Sequence, residues 1–482
     1  MIRWNNLLKV LGTFILALTA SLAITSIFAF LTHDASLVSF LWATFITGSL
    51  GFFLFQFFSY PSQELTHREG IMLVVTSWVT AITLGTLPFY FSGYFPEFTA
   101  AFFESTSGFT TTGATIIDDI EALPKSLLLW RALTHWIGGM GIIVLSIAIL
   151  PLIGTGGMEL YRAEFSGARS EKLTPRIAET AAALWKLYLA FTVMTFLALR
   201  WAGMNSFDAI CHAFSTMATG GFSTRNESIE SFANPAIEYV IIFFMIVAGI
   251  NFTQHYRLLI EHKSKSFFRD PELRLFIGII AAATTAIAIT LSFSSIALPH
   301  TFRTSLFQAV AILTGTGLTS FNFGLWPPFA QLILLALMFT GGCTGSTTGG
   351  LKIARLYLLL RVVGREFKRM VERRGVFSIR FDQGVITENT VQSLLNLIYL
   401  AFLINFSACL ALTAFGVDVL TAISAVAACM FNIGPGLGSV GPAENYAHLP
   451  NAVKWILSFC MLAGRLEFYT VLIIFTRSFW RK

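Results

Sequence analysis

Long apolar stretches alternate with short polar segments along the whole chain. An apolar stretch of about 20 residues is long enough to cross a bilayer as a helix, whereas one of about 10 to 14 is not. The pattern predicts about ten membrane-spanning helices and four shorter helices, and each short helix stands between two spans. The predicted spans cover residues 7–31, 37–58, 70–91, 127–153, 181–202, 236–256, 273–293, 329–363, 391–415 and 453–475, and the short helices cover 96–110, 207–217, 302–313 and 417–430.

A glycine-centred loop follows each of the four short helices. The central glycines are separated by about 108, 96 and 117 residues, which indicates a fourfold internal repeat of span, short helix, loop and span. Two extra spans at residues 1–60 come before predicted repeats at 61–178, 179–270, 271–380 and 381–482. The loops are Thr110-Thr111-Thr112-Gly113-Ala114, Ala218-Thr219-Gly220-Gly221-Phe222, Thr314-Gly315-Thr316-Gly317-Leu318 and Phe431-Asn432-Ile433-Gly434-Pro435-Gly436.

The repeated loops suggest a binding site for an alkali cation. Glycine adopts backbone conformations that a Cβ forbids, so successive carbonyl oxygens in such a loop can point the same way. Four loops around one axis would form rings of carbonyl oxygens that replace the hydration shell of the cation. Glycine also serves close helix packing in membranes, but packing alone does not require a common register in four loops. The predicted filter residues are Thr111, Thr112, Gly113, Thr219, Gly220, Gly221, Thr316, Gly317, Asn432, Ile433 and Gly434.

The polar groups around these loops agree with a cation site. Each short helix aims the negative end of its dipole at its loop. The hydroxyls of four threonines either add oxygen ligands or orient the loop backbone. Only the fourth loop looks like the Thr-Val-Gly-Tyr-Gly of potassium channels, with Asn432 and Pro435 in place of Thr and Tyr. Because the four loops differ, we expect the filter to discriminate less strongly against Rb+ or Na+ than that of a tetrameric channel. The threonines are Thr111, Thr112, Thr219 and Thr316.

A glycine-rich segment interrupts the apolar stretch of the third repeat. Glycine costs about 1 kcal/mol per residue relative to alanine in a helix, so the helix should break here. Unpaired backbone at membrane depth is tolerated only where protein or water satisfies it. The segment is therefore either a loop that gates a pore below the filter or a kink between two packed helices. It consists of Gly341, Gly342, Cys343, Thr344, Gly345, Ser346, Thr347, Thr348, Gly349 and Gly350.

Arg465 lies inside the last apolar stretch. A guanidinium near the bilayer centre costs at least ~2.5–3.5 kcal/mol, so it must face a partner or water. Two interpretations compete. Arg465 either projects into the pore and raises the barrier to cations, or it forms a structural lock with Glu467 or with carbonyls of the glycine-rich segment.

Composition and charge identify an all-α integral membrane protein. The 482 residues are 55% hydrophobic and 12% charged. The mean hydropathy is +0.71. Lysine and arginine concentrate in the loops on the N-terminal side of the predicted membrane, which places both termini in the cytoplasm and opens the glycine loops to the outside. The net charge of +6 reflects this bias.

The sequence carries none of the motifs of an enzyme or of a nucleotide-binding protein. The five cysteines, in apolar segments and without CxxC spacing, indicate neither a disulfide framework nor a zinc site. Neither a Walker loop nor a GxGxxG motif after a strand is present, and no catalytic triad or paired carboxylates stand out. We therefore expect no enzymatic activity and no cofactor on this chain.

Taken together, the four loops, the glycine-rich segment, Arg465 and the two extra spans resemble the Trk/Ktr/HKT superfamily of potassium transporters, and most closely its bacterial TrkH-type membrane subunits. The resemblance covers essentially the whole chain. It implies four membrane–pore-helix–membrane repeats around a central pore, with Gly113, Gly221, Gly317 and Gly434 as filter glycines. In plant relatives a serine at the first of these is associated with sodium permeation, so Gly113 favours potassium.

The resemblance also implies partners and a mechanism. The expected protein is a homodimer in the bacterial inner membrane that takes up K+ through a channel-like pore. A separate cytoplasmic TrkA-like subunit would bind nucleotide and regulate the gate formed by the glycine-rich segment and Arg465. Its expected docking region is the basic stretch at residues 361–374, which by itself would equally suit anionic lipid. An H+- or Na+-coupled alternating-access symporter is the alternative, although such folds have inverted halves and these repeats share one orientation.

Overall fold

The computed structural model describes residues 2–58, 66–148, 173–294, 300–372, 375, 377–381 and 384–481. The regular secondary structure of this part of the chain is helical except for one antiparallel hairpin, β1 (Ile379–Phe381) with β2 (Gly384–Ile386), and an isolated bridge between Thr340 and Leu351. The α-helices are α1 (Trp4–Leu31), α2 (Leu37–Phe57), α3 (His67–Phe91), α4 (Phe98–Phe109), α5 (Lys125–Ala148), α6 (Leu173–Trp201), α7 (Ser206–Met217), α8 (Pro235–Gly249), α9 (Phe252–Leu259), α10 (Ser264–Arg269), α11 (Pro271–Ser292), α12 (Thr301–Leu313), α13 (Pro328–Met338), α14 (Ile353–Val371), α15 (Glu388–Ala414), α16 (Val419–Met430), α17 (Asn451–Arg465), α18 (Phe468–Leu472) and α19 (Arg477–Trp480).

Six helices in the described ranges are long and apolar enough to cross a membrane: α1, α2, α3, the part of α6 from Glu179, α11 and α15. Three predicted spans are not continuous helices. The span 236–256 bends by 99° between α8 and α9, and the span 453–475 bends by 114° after α17. The span 329–363 is interrupted between α13 and α14, as the glycine-rich segment predicts. Residues 149–153 of the span 127–153 lie outside the described residues.

The first two helices pack closely because small residues line their contact. A Cβ on Gly12 would lie 2.7 Å from the backbone nitrogen of Phe55, and a Cβ on Gly51 would lie 2.9 Å from the side chain of Ile15. Such small residues let helix backbones approach in a membrane, where the hydrophobic effect does not drive association. A salt bridge of 2.7 Å from Arg3 to the buried Glu69 joins this pair to α3.

The four predicted short helices are present as α4, α7, α12 and α16, here called the pore helices. Each is 12 or 13 residues long and is buried over most of its length by helices of its own and of a neighbouring repeat. Two begin with a side-chain cap: Asn205 accepts a hydrogen bond from the amide of Asp208 at 2.8 Å, and Asp418 accepts one from the amide of Thr421 at 3.0 Å. The repeats therefore hold all four pore helices inside the protein.

Candidate ion-binding ring and gate

The four pore helices end in the same backbone motif. In each, the second residue after the C-cap donates its amide to the carbonyl three positions before the cap, over 2.8–2.9 Å. The first residue after the cap donates to the next carbonyl, over 3.0–3.4 Å. This pair of bonds is the Schellman motif, and its first residue takes the left-handed conformation. Those residues are Thr111 (φ 53°), Thr219 (φ 53°), Gly315 (φ 65°) and Asn432 (φ 54°).

The central glycines add a second left-handed residue to every loop. Their φ angles lie between 66° and 101°, so each loop carries left-handed residues at two positions, separated by one residue. A side chain with a Cβ costs roughly 1–2 kcal/mol in this conformation, and Thr111, Thr219 and Asn432 adopt it nevertheless. The loops thus share one backbone conformation although their sequences differ. Gly315 belongs to this set and was not among the predicted filter residues.

The loops close into a ring in chain order. Each central glycine packs against the carbonyl oxygen of the residue that precedes the central glycine of the next loop. A Cβ would collide with that oxygen at all four places, and at the last place it would lie 2.7 Å away. The pairs are Gly113 with Gly220, Gly221 with Thr316, Gly317 with Ile433, and Gly434 with Thr112.

The threonine hydroxyls in the ring mostly bond to protein. The Thr112 hydroxyl lies 2.8 Å from that of Thr110 and accepts a hydrogen bond of 2.9 Å from the Asn432 amide. The Thr219 hydroxyl donates to the carbonyl of Ala218 at 2.7 Å, and that of Thr316 lies 2.7 Å from the hydroxyl of Thr314. Thr111 differs: its buried hydroxyl has no hydrogen-bond partner in the described part of the chain. The hydroxyls of three of the four predicted threonines are therefore engaged in hydrogen bonds within the protein.

A cavity of about 140 Å³ opens on one side of the ring. The four central glycines line it, together with polar residues that include Asp118, Arg131 and Glu444. Beside it, the amide of Asn226 donates to Asp119 at 3.0 Å. This hydrogen bond lowers the pKa of the exposed Asp119 carboxyl, which therefore stays ionised across the physiological pH range.

The glycine-rich segment folds as a loop whose backbone bonds to its surroundings. The amide of Cys343 donates to the carbonyl of Gly249 at 2.8 Å, and the amide of Phe252 donates to the carbonyl of Gly345 at 3.1 Å. The Thr347 hydroxyl donates to the carbonyl of Met217, the last residue of the second pore helix, at 3.1 Å. The loop therefore lies against the end of this pore helix and against the break between α8 and α9, which satisfies its backbone as the membrane requires.

Arg465 is 3% exposed and binds carbonyl oxygens of two other repeats. Its Nη1 donates to Thr347 at 2.8 Å and its Nη2 donates to Gly138 at 3.2 Å. Glu467 is not its partner, because that carboxylate forms a salt bridge of 2.7 Å with Arg355. Of the predicted lock interactions, the one with Glu467 is therefore wrong, and the contact with the glycine-rich segment is present.

Comparison with known proteins identifies the fold around this ring. A sequence model of the TrkH family, described as a cation transport protein, matches residues 33–482. The chain belongs to the TrkH family. It is 40% identical to the Trk system potassium uptake protein TrkH of Salmonella typhimurium over 98% of this chain and 99% of that protein. It is 36% identical to the Trk system potassium uptake protein TrkG of Escherichia coli over 87% and 86% of the two chains.

A solved structure agrees with the same assignment. The crystal structure of the potassium transporter TrkH from Vibrio parahaemolyticus matches all of this chain and all of that chain, with a TM-score of 0.91 and 37% identity. The resemblance inferred from the sequence is thus confirmed, as is the all-helical membrane fold. This member of the TrkH family is a multi-pass membrane protein.

Glu272 is a residue of this TrkH-family chain that the sequence did not single out. It is 4% exposed at the start of α11. One of its carboxylate oxygens accepts hydrogen bonds from the Thr344 amide at 2.7 Å, from the Thr344 hydroxyl at 3.0 Å and from the Ala354 amide at 3.0 Å. Glu272 therefore holds the glycine-rich loop at its first half and at the helix that follows it. Its position next to a predicted span boundary gave no sign of this contact.

A second contact that the sequence did not predict is the ion pair of Glu104 and Arg131, which are 0% and 1% exposed. Arg131 Nε donates to Glu104 at 2.8 Å, and Nη1 donates to the carbonyl of Ser223 at 3.1 Å. Glu104 also accepts a hydrogen bond from the amide of Ile116 at 3.1 Å. The pair thus connects the chain beyond the first loop to the chain beyond the second. A buried ion pair with its remaining hydrogen bonds satisfied favours one geometry of these segments.

Proposed function

We propose that this chain takes up K+ through a channel-like pore whose selectivity filter is the ring of four loops. The observation that carries the proposal is the closed ring itself, in which four loops share one backbone conformation and pack in chain order. Such loops surround a cation with carbonyl oxygens that replace its hydration shell. The similar proteins are named as potassium uptake proteins, which agrees with K+ as the substrate.

The glycine-rich loop and Arg465 form the gate in this proposal. Their mutual contact lies next to the ends of two pore helices, since Thr347 bonds to Met217 and Gly138 packs against the carbonyl of Phe109. An ion that leaves the ring toward the cytoplasm must pass this region. Glu272 holds the same loop from the other side. Opening therefore requires the loop to leave Arg465, Glu272 or both.

We assign the cytoplasmic face to a nucleotide-binding, TrkA-like regulatory subunit, and the membrane assembly to a homodimer in the bacterial inner membrane. Helix α14 begins directly after the glycine-rich loop. Its far end exposes apolar and basic side chains together, with Phe367 66% exposed and Met370 75% exposed. Salt bridges of Arg365 and Arg369 with Glu388 hold this end against α15. A partner that binds here would pull on the helix that enters the gate.

The test is the reversal potential of proteoliposomes that contain the purified wild-type chain. K+ and Na+ gradients are imposed separately, with equal pH on both sides, and the measurement is repeated with the cytoplasmic subunit added. We expect the potential to follow the K+ gradient, because a pore conducts without a second ion. Uptake that appears only with a proton or sodium gradient, with or without the subunit, would contradict the proposal and support the symporter.

A further inference from the structure

The ring is not symmetric in its hydrogen bonds, and Tyr446 is the cause. The Tyr446 hydroxyl donates to the carbonyl oxygen of Gly434 over 2.8 Å. In the described part of the chain, none of the carbonyls of Gly113, Gly221 and Gly317 accepts a hydrogen bond. One of the four central carbonyls therefore accepts a side-chain hydrogen bond that the other three lack.

Tyr446 itself is held firmly by the first repeat. Its side chain is 2% exposed, and its ring lies 5.5 Å from that of Phe103, a fully buried residue of the first pore helix. Its amide donates to the carbonyl of Thr115 over 2.9 Å. The preceding residue, Asn445, donates to Asp118 over 2.7 Å. Tyr446, whose hydroxyl binds the Gly434 carbonyl, is thus fixed against the segment that follows the first loop.

This hydrogen-bond tether acts at the place where the ring closes. Gly434 packs against Thr112, and Asn432 donates to the Thr112 hydroxyl, so the fourth and first loops meet here. These loops come from opposite ends of the repeat series, and no short connection in the chain keeps them in register. Tyr446 joins the two from outside the ring. Tyr446 stands 12 residues after Gly434, outside the loop pattern from which the filter was predicted.

We propose that Tyr446 is a specificity-determining residue, which holds the Gly434 carbonyl at a distance suited to K+. This inference rests on the proposed function of the ring. A smaller cation such as Na+ requires the surrounding oxygens to move inward, and a carbonyl that is tied to a buried tyrosine resists that movement. Selectivity of a carbonyl site depends on both the size and the flexibility of the ring. Without the tether, the fourth carbonyl approaches Na+ and the preference for K+ falls.

The test compares Tyr446→Phe with Tyr188→Phe in proteoliposomes. Tyr188 is a matched control, because it is also fully buried and its hydroxyl also donates to a backbone carbonyl, that of Trp136 at 3.1 Å. We expect the K+/Na+ permeability ratio to fall at least threefold in Tyr446→Phe and to stay at the wild-type value in Tyr188→Phe. Both variants should lose a similar amount of thermal stability, since each lacks one buried hydrogen bond.

A second variant covers the case in which Tyr446→Phe folds poorly. Phe103→Leu keeps the Tyr446 hydroxyl and loosens the ring beside it, and we expect a smaller fall in the same ratio. If Tyr446→Phe folds and its K+/Na+ permeability ratio is unchanged, the assignment of Tyr446 is overturned. If Tyr446→Phe does not fold, an unchanged ratio in folded Phe103→Leu overturns it. In either case a wild-type preference for K+ still supports the ring as a K+ filter. A wild-type chain without preference for K+ would overturn both.

Discussion

Replacement of Gly113 by serine is expected to lower the K+/Na+ permeability ratio at least about tenfold, which corresponds to about 1.4 kcal/mol of discrimination. Gly113 has a φ of 81°, and a Cβ at this position would collide with the carbonyl oxygen of Gly220. The first loop can accept the side chain only if it or the second loop moves. Such a movement changes the distance between carbonyl oxygens on both sides of the ring. Bi-ionic reversal potentials of the two ions measure the change.

Gly93 provides the control for this substitution. It belongs to the same repeat and has a similar φ of 77°, but nothing lies within 4 Å of the place its Cβ would take. Gly93→Ser therefore adds the same backbone strain without touching the ring, and its permeability ratio should equal that of the wild type. An equal loss of selectivity in both variants would show that general destabilisation is the cause. An unchanged ratio in Gly113→Ser would contradict the filter assignment.

Replacement of Arg465 by alanine is expected to raise K+ flux about tenfold in the absence of the cytoplasmic subunit. Its guanidinium binds the carbonyls of Thr347 and Gly138, and a hydrogen bond to a charged group contributes roughly 1.5–3 kcal/mol. Loss of these contacts frees the glycine-rich loop, so the open state gains population. The measurement is K+ efflux from proteoliposomes at fixed protein content, after thermal denaturation has shown that the variant is folded.

Two further substitutions separate a mechanical lock from a charge barrier. Arg465→Lys keeps the positive charge but loses the planar pair of donors that reaches two carbonyls. Glu272→Gln leaves Arg465 intact and weakens the other fixation of the loop at Thr344 and Ala354. Both should raise the flux if the loop is locked. If Arg465 acts only through its charge, Arg465→Lys and Glu272→Gln should conduct K+ like the wild type. A folded Arg465→Ala without increased K+ flux would contradict a gating role of Arg465, whether as a lock or as a charge barrier.

The sequence predicted the repeats and loops well because their signals are local. The apolar pattern located all four pore helices, and the spacing of glycines located the ring. Gly315 was not among the predicted filter residues. The same left-handed position is occupied by Thr111, Thr219 and Asn432 in the other loops, so no common residue type identifies it. The Schellman motif at the end of a pore helix fixes this conformation whether or not the residue is glycine.

Most contacts between repeats could not be predicted from the sequence. The glycine-rich segment, which contains Thr347, was one of the partners expected for Arg465, whereas nothing in the sequence identified Gly138, which is 327 residues away. The nearby Glu467 looked like a partner, but the chain turns there with a φ of 56° and the carboxylate reaches Arg355 instead. The bends after α8 and α17 were missed for a related reason. Apolar residues flank both breaks, and the contacts that stabilise them, such as the bond of Phe252 to Gly345 and that of Arg465 to Thr347, reach other repeats.

The central claim, that the ring of four loops binds K+, is tested most directly by anomalous diffraction from crystals soaked in Rb+. Rubidium is close to potassium in size and charge, and its anomalous signal reports its position without reference to the protein. We expect density on the axis between Gly113, Gly221, Gly317 and Gly434, which excess K+ removes and Na+ at the same concentration does not. Bound Rb+ elsewhere in the protein with none on this axis would contradict the account.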